Sequence, residues 1–155
     1  MLNLRFAGDG FKTFNNVLTR FEDRVQDAAP AFDAMADHVV TMNQRQFDGQ
    51  GTYYGGGWSA LSPKYAAWKA KQRPGASILV FDGTLRESLT ERPFGVDEIT
   101  NKSMTVGTGV EHAKYHQDGT DKMPARPILG RPTREDTKMW AKLLQEYIVM
   151  GEVSI

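Results

Sequence analysis

The most informative segment of the chain runs from Glu111 to Gly130 and has the sequence EHAKYHQDGTDKMPARPILG. Two prolines, Pro124 and Pro127, lie near its end. Each proline fixes its own φ, lacks a backbone donor and pushes the residue before it towards extended conformations. The part from Met123 to Pro127 is therefore predicted to be stiff and extended, and it cannot join the middle of a sheet.

Residues 119–130, which we call the arm, also carry two apolar anchors. Ile128 and Leu129 follow directly on the second proline, and Gly130 and Pro132 end the segment before a helix begins. A stiff segment with apolar anchors loses little conformational entropy when it docks on another surface. The sequence leaves open whether that surface is the chain's own core or a neighbouring subunit.

Helical periodicity is predicted on both sides of the arm. Apolar residues recur at three and four positions from Phe11 to Val25, and a second amphipathic helix is predicted to begin at Pro30. Ser62 and Pro63 are typical of a helix start, and Asp82–Thr84 can cap a short helix with Leu85 and Leu89. Thr133 and Asp136 resemble a capping box that opens a C-terminal helix.

Short strand patterns complete the secondary structure. Leu2, Leu4 and Phe6 alternate with polar residues, which predicts a short strand. Residues 78–81 are predicted to form either a strand or the buried start of a turn. A hairpin is predicted around Asn101–Lys102. The chain shows no βαβ rhythm. We therefore predict one α+β domain over residues 1–155, with N-terminal amphipathic helices and a C-terminal helix packed on a small, mainly antiparallel sheet.

Residues 48–57 contain a glycine-rich segment, GQGTYYGGG. Five glycines in nine residues disfavour regular structure, so we expect a flexible surface loop. Its two tyrosines, Tyr53 and Tyr54, are candidate contacts for a partner on which the loop becomes ordered.

Composition limits the possible functions. The chain has 155 residues, with 19 Lys and Arg against 19 Asp and Glu, and no cysteine. Zero net charge argues against a tight grip on nucleic acid, and the lack of cysteine excludes disulfides and cysteine-held metals. We see neither an apolar run of about 18 residues nor a signal-peptide pattern, and therefore expect no membrane association and assembly in the cytoplasm.

Two histidines form the best candidate for metal or acid–base chemistry. His112 and His116 are four residues apart and share a face of any helix there, but Ala113 stands where the metalloprotease pattern needs Glu. Local packing beside Tyr115 explains them better, and a third ligand would have to be His38 or a carboxylate. We predict no catalytic residue and no cofactor, and keep a metal-dependent hydrolase as an alternative.

Aromatic and basic residues are interleaved after the glycine-rich loop. Trp58, Tyr65 and Trp68 favour a core or an interface over base stacking. The basic residues beside them are typical of a solvated helix face, and a DNA-binding module is the second alternative: Lys64, Lys69, Lys71 and Arg73.

Several short motifs, taken in order, resemble the phage virion morphogenesis family, the tail-completion proteins of Mu-like and P2-like phages. They are Trp58 with Leu61–Ser62 and Tyr65, Lys69 or Lys71, Ile78–Leu79, Gly83–Arg86 with Ser88, Val106–Thr108, Ala113, Tyr115–Gln117, Gly119, Met123–Pro127 and Leu129–Gly130. The run from Met123 is the specific one, and the match covers about half of the chain. Asp118 and Ile128 stand where the family has aromatic residues, and His112 where a Tyr is common.

The resemblance implies a structural virion protein that joins the head connector to the tail at the head–tail junction. By analogy with other rings at that position it implies a hexamer of this chain, with a head connector or adaptor and a tail terminator or tail tube protein as neighbours. DNA would pass through the lumen without specific binding. The expected contact residues are Met123, Pro124, Arg126, Pro127, Ile128, Leu129, Tyr115, Tyr53, Tyr54 and Trp58.

Overall fold

The computed structural model describes residues 9–153, with side chains from Lys12 onwards. The strand predicted at Leu2–Phe6 and the last two residues of the apolar tail, Ser154 and Ile155, lie outside the described residues. The described part contains six helices and two strands: α1 (Asp9–Gln26), α2 (Ala29–Asp48), α3 (Pro63–Gln72), α4 (Thr84–Thr90), β1 (Val96–Ile99), β2 (Met104–Gly107), α5 (Ala113–Asp118) and α6 (Arg134–Met150).

Helix α2 is the central element of the domain. It contacts α4, α6 and both strands. Small residues on its packed face, among them the fully buried Ala31 and Ala36, let neighbouring elements approach its backbone. Larger side chains, Met42 and Phe47, fill the core towards its C-terminal end. Pro30 lies in its first turn, as the sequence predicts.

The two strands form an antiparallel hairpin against α2. Val96 is opposite Gly107 and Ile99 is opposite Met104, so the turn lies at the predicted position. Met104 and Val106 pack on the cluster of buried α2 residues together with Phe94. The α+β prediction is therefore confirmed, with a sheet of two strands in the described residues.

Helix α6 begins and ends where the sequence predicts. Thr133 and Asp136 form a reciprocal capping box, and Gly151 ends the helix in the left-handed region at φ 82°. Leu143 is buried against the first half of α2, at Ala31, Ala34 and Met35. The two helices run antiparallel, because the end of α6 lies near the start of α2, where the Tyr147 hydroxyl donates to the Asp27 carbonyl over 2.9 Å.

Helix α1 attaches to the domain through its last turns. The Arg24 guanidinium donates to the carbonyl oxygens of Ile148 and Val149 over 3.0 and 2.8 Å. Every residue from 12 to 20 is exposed, including the apolar ones. The amphipathic helix is present as predicted, but the first half of its apolar stripe is not buried in the described chain.

The middle of the chain forms short helices joined by turns. Ser62 caps α3, with Pro63 in the first turn, as predicted. Leu85 and Leu89 are buried on α4, also as predicted. Residues 78–79 form a turn and residues 80–81 are not in a strand, so of the two possibilities left by the sequence the structure shows a turn, half-buried at residues 78–80. No helix in the described residues is long and apolar enough to cross a membrane.

Candidate interaction surfaces

The arm docks on the chain's own core. Ile128, only 2% exposed, packs with a cluster that joins the end of α2 to α4: Phe47, Trp58, Leu85 and Leu89. Of the two docking surfaces left open by the sequence, the structure shows the chain's own core. Burying one such aliphatic side chain contributes about 1.5–3 kcal/mol.

Hydrogen bonds hold the arm at its second proline. The Pro127 carbonyl accepts from the Trp58 indole Nε1 and from the Gln46 amide Nε2, each at 2.8 Å. A carbonyl oxygen has two lone pairs, so both are used here. This contact ties the arm to α2 and to the end of the glycine-rich loop.

Gln117 holds the next two residues in place. Its Oε1 accepts from the backbone N–H groups of Ile128 and Leu129 over 2.8 and 3.0 Å, and its Nε2 donates to the Leu129 carbonyl over 2.7 Å. A side-chain amide that pairs with the backbone in this way replaces a strand partner. The arm is therefore anchored to α5 as well as to the core.

Arg126 is buried inside the chain. It is 3% exposed, and its guanidinium donates to the carbonyls of Ser59 and Ala60 over 2.7 and 2.9 Å. Its backbone N–H donates to the His116 carbonyl over 2.7 Å. Carbonyl dipoles in the described residues compensate its positive charge, and the hydrogen bonds of Arg126 link the arm to residues 59–60 within the chain.

The residues expected at an interface occupy three different environments. Trp58, Arg126 and Ile128 are buried in the chain itself. Met123, Leu129, Tyr53 and Tyr54 are half-buried, and Tyr115, Pro124 and Pro127 are exposed. Contact of any of them with a partner stays a prediction, and the exposed and half-buried members are the ones positioned to make it.

The tyrosines of the glycine-rich loop point towards the domain. The Tyr53 hydroxyl donates to Asp136 Oδ1 over 2.8 Å, and the Tyr54 backbone N–H donates to Gln46 Oε1 over 3.2 Å. Burial, with Tyr53 and Asp136 nearby, raises the pKa of Tyr54 to about 12. Gly55, Gly56 and Gly57 form the exposed tip. The flexibility of the loop stays a prediction.

A groove of 760 Å³ lies between α3, α5, the segment before α4 and the arm. Its lining is mainly apolar and aromatic: Ala60, Leu61, Ser62, Tyr65, Lys69, Leu79, Phe81, Asp82, Leu85, His112, His116, Lys122, Met123, Pro124 and Arg126. The ring of Trp68 stacks on that of Phe81 at 5.5 Å, and Tyr65 lies 5.4 Å from Trp68. Tyr65, Trp68 and Phe81 are all exposed, so they form an apolar rim on the groove.

The charged groups of the groove are mostly basic. Lys69, Lys122 and Arg126 line it, against one carboxylate, Asp82. Lys69 is buried and its Nζ donates to the Ser77 carbonyl, so it is not part of an exposed basic face for DNA. Burial lowers the pKa of Lys69.

The two groove histidines lie side by side. Their rings are 5.7 Å apart, edge to face. Burial, and then the neighbouring His112 and Arg126, lower the pKa of His116 and favour its neutral form. Its Nδ1 is buried with no hydrogen-bond partner among the described residues. The part of the chain that the structure describes holds no group of three side chains able to bind a metal ion.

A second apolar surface was missed by the sequence reasoning. On α1, Phe14 is 57% exposed, Val17 42% and Leu18 50%, and Val25 is exposed as well. The sequence gives no signal for this exposure, because an amphipathic stripe has the same spacing whether its partner is the same chain or another one. Clustered exposed apolar residues mark interaction sites.

A small α+β core that leaves apolar faces exposed on α1 and at the groove is typical of a domain that contacts other proteins. Comparison with known families agrees with this class. Residues 9–148 match the model of the phage virion morphogenesis family, and the chain belongs to this family. The membership gives it a structural or assembly role in a phage virion. Neither the curated proteins nor the solved structures gave a significant match.

Proposed function

We propose that the chain is a tail-completion protein that forms a ring at the head–tail junction and joins the head connector to the tail. The observation that carries this proposal is the family match, which extends over residues 9–148 and includes the arm and every described helix except the end of α6. The role in the virion follows from the family, and the position at the head–tail junction is our proposal.

Ring formation is supported by the exposed apolar side chains. They lie on α1, on the groove rim and at the end of α6, where Val149 and Met150 are exposed. Monomeric soluble proteins seldom leave several such patches uncovered. By analogy with other rings at this position we propose six copies.

The neighbours in the particle would be a head connector or adaptor on one side and a tail terminator or tail tube protein on the other. DNA would pass through the lumen without specific binding. Each contact with a phosphate adds salt-dependent affinity for DNA, so a chain with zero net charge is better suited to let DNA pass than to bind it tightly. Assembly in the host cytoplasm and residence in the finished virion follow from this proposal.

The arm would act from inside the subunit. Its buried residues fix α5, residues 58–60 and α2 to one another, and its exposed Pro124 and half-buried Met123 form one wall of the groove. The arm thereby shapes the surface that meets a partner, while its own anchors stay in the core. The glycine tip at Gly55–Gly57 is the part expected to become ordered on contact with the connector or the tail.

Removal of the gene from a producing phage tests the proposal. We expect full heads and separate tails to accumulate, and joined particles to return when the protein is supplied from a plasmid. Cryo-electron microscopy of the restored particles should then show a ring of this chain at the neck. Normal tailed particles without the protein, or its location elsewhere in the virion, would refute the junction role.

A further inference from the structure

We infer that the apolar face of α1 from one copy docks in the groove of the next copy, which would make α1 the connecting element of the ring. This inference rests on the proposed function, because it names the subunit contact of the proposed ring. Its two halves are α1 residues Phe14, Val17, Leu18, Phe21 and Val25, and the groove formed by α3, α5 and the arm.

The geometry of α1 supports the first half. At 100° per residue the five apolar residues fall within about one third of the helix circumference, which is the width of a face that packs on a partner. Residues 12–20 are all exposed, and the anchor to the domain lies at Arg24, near the other end of the helix. The first half of the helix therefore projects from the domain with its apolar side uncovered.

The groove has the size and lining that such a helix needs. An amphipathic helix binds a hydrophobic groove through residues spaced three and four apart. The 760 Å³ volume accommodates several large side chains, and Leu61, Leu79 and Met123 provide apolar walls. Exposed Tyr65, Trp68 and Phe81 extend this surface beyond the groove.

Charge agrees with this pairing. Glu22 and Arg24 border the apolar face of α1, while Lys12, Arg20 and Asp23 lie on the opposite half of the helix. Arg24 is engaged with the end of α6, so Glu22 is the charge available to a partner. Among the charged side chains that line the groove, Lys69 and Arg126 are buried and hydrogen-bonded within the chain. Lys122 is the exposed cation and Asp82 the one carboxylate, so Lys122 is the group that can pair with Glu22.

The attached end of α1 and the groove lie at opposite ends of α2. Helix α1 joins the start of α2, and the groove residue Leu85 packs against Phe47 at its end. Twenty helical residues separate these ends by about 30 Å. Two different and distant surfaces favour a head-to-tail contact, which closes into a ring when the rotation between copies allows it.

The total exposed area is larger than that of a compact monomer. The chain exposes 10741 Å², whereas a compact monomer of its mass exposes about 7,800 Å². The ten residues outside the described range could account for at most about 1,600 Å² of the excess. The remaining excess, about 1,300 Å², means that the chain is less compact than a typical monomer of its mass, which is expected when neighbouring copies cover part of its surface.

Disulfide cross-linking tests the inference cleanly, because the chain has no cysteine. Leu18→Cys combined with Lys122→Cys places one thiol on the apolar face of α1 and one on the groove. Mild oxidation of this protein should give a ladder of linked chains on a non-reducing gel, and peptide mapping should identify the bond between positions 18 and 122. The matched control, Thr19→Cys with Lys122→Cys, moves the first thiol to the opposite side of α1 and should give about tenfold less linked product.

The outcomes separate this inference from the proposed function. Equal linkage in both variants, no linkage at about millimolar protein, or linkage that stops at dimers would overturn the α1 contact. A neck ring seen in particles alongside any of these results would leave the junction role intact. A clean ladder from a protein that phage can lack without losing tailed particles would instead refute the junction role and keep the contact.

Discussion

Asp136 is buried at the start of α6 and holds three parts of the chain together. Its Oδ2 accepts from the backbone N–H and the hydroxyl of Thr133, each at 2.7 Å, and its Oδ1 accepts from Tyr53 at 2.8 Å. The His38 Nδ1 accepts from the Trp140 indole over 3.0 Å, so the proton of a neutral imidazole lies on Nε2, 3.7 Å from Asp136 Oδ1. Burial raises the pKa of Asp136, but these partners outweigh burial, so the pKa of its carboxyl lies below its usual range.

This network predicts a pH-dependent effect of Asp136→Asn. A carboxyl whose pKa is lowered by folding stabilises the protein above its unfolded pKa, and the contribution disappears as the pH falls through the folded value. We expect the variant to lose about 1–3 kcal/mol near neutral pH, and the gap to wild type to close in acid, as the pH falls through the lowered pKa of Asp136. Urea unfolding across that range measures both, with exposed Glu135→Gln as the control. A gap of constant size down to the lowest pH at which wild type folds would contradict this account.

Gln46 offers a second test at the scale of one residue. It is 1% exposed, donates to the Pro127 carbonyl and accepts from the Tyr54 N–H. Gln46→Ala should destabilise the fold by about 2–3 kcal/mol, because it leaves the Tyr54 N–H without its acceptor and removes buried contacts. Gln44→Ala is the matched control, since this side chain is exposed and makes one long hydrogen bond, so a loss below about 0.5 kcal/mol is expected. Equal urea midpoints for the two variants would show that the arm is not fastened through Gln46.

Among the elements, the sequence predicted those whose signals are local. Ser62 with Pro63, and Thr133 with Asp136, start helices through contacts within one turn, so their positions follow from residue type alone. The hairpin turn at Asn101–Lys102 is of the same kind. The prediction of a stiff, extended arm rests on proline chemistry, which is local as well, and it stays a prediction.

The contacts made by these elements could not be predicted in the same way. That the Pro127 carbonyl meets Trp58, 69 residues earlier, depends on the packing of α2 and α4 between them. Likewise, nothing local in the sequence shows that Arg126 lies buried against the carbonyls of residues 59 and 60, and its contact with a partner stays a prediction. The groove is lined by residues between positions 60 and 126, and no sequence motif predicts that these residues lie close together.

The arm itself supports a prediction at this scale. Replacing Pro124 and Pro127 with Gly widens the unfolded ensemble and should cost about 1–2 kcal/mol. Pro74→Gly, in an exposed turn, is a control that changes the unfolded chain in the same manner without touching the arm. In the double variant, but not in Pro74→Gly, the amide protons of Arg126, Ile128 and Leu129 should exchange with solvent about tenfold faster. The reason is that the hydrogen bonds of these N–H groups anchor the arm.

Sedimentation of the same protein extends this test to assembly. If the arm shapes the subunit contact, the double variant should also form fewer or weaker oligomers than Pro74→Gly does. Faster exchange with an unchanged oligomer would confine the arm to folding and remove its role in the ring.

At the scale of the whole molecule, stability and assembly depend on different parts of the chain. The core clusters are built on α2 and involve α4, α6, the hairpin and the arm. The first half of α1 contributes large apolar side chains to none of them. The exposed half of α1 therefore adds little to the stability of an isolated subunit, whereas its apolar surface favours association with another protein. The two properties should therefore be separable by substitution.

Changing Phe14, Val17 and Leu18 together to Gln tests this separation. Glutamine is a good helix former, and the three side chains are already exposed, so the free energy of unfolding should change by less than about 1 kcal/mol. Self-association measured by sedimentation, and joining of heads to tails in complementation, should both be lost. The contrasting variant is Leu143→Ala in the buried face of α6, which should cost about 2–5 kcal/mol of stability but assemble normally at temperatures where it remains folded. If the glutamine variant unfolds as easily as Leu143→Ala, α1 belongs to the core of the subunit, and the division between a stable body and an assembling helix is wrong.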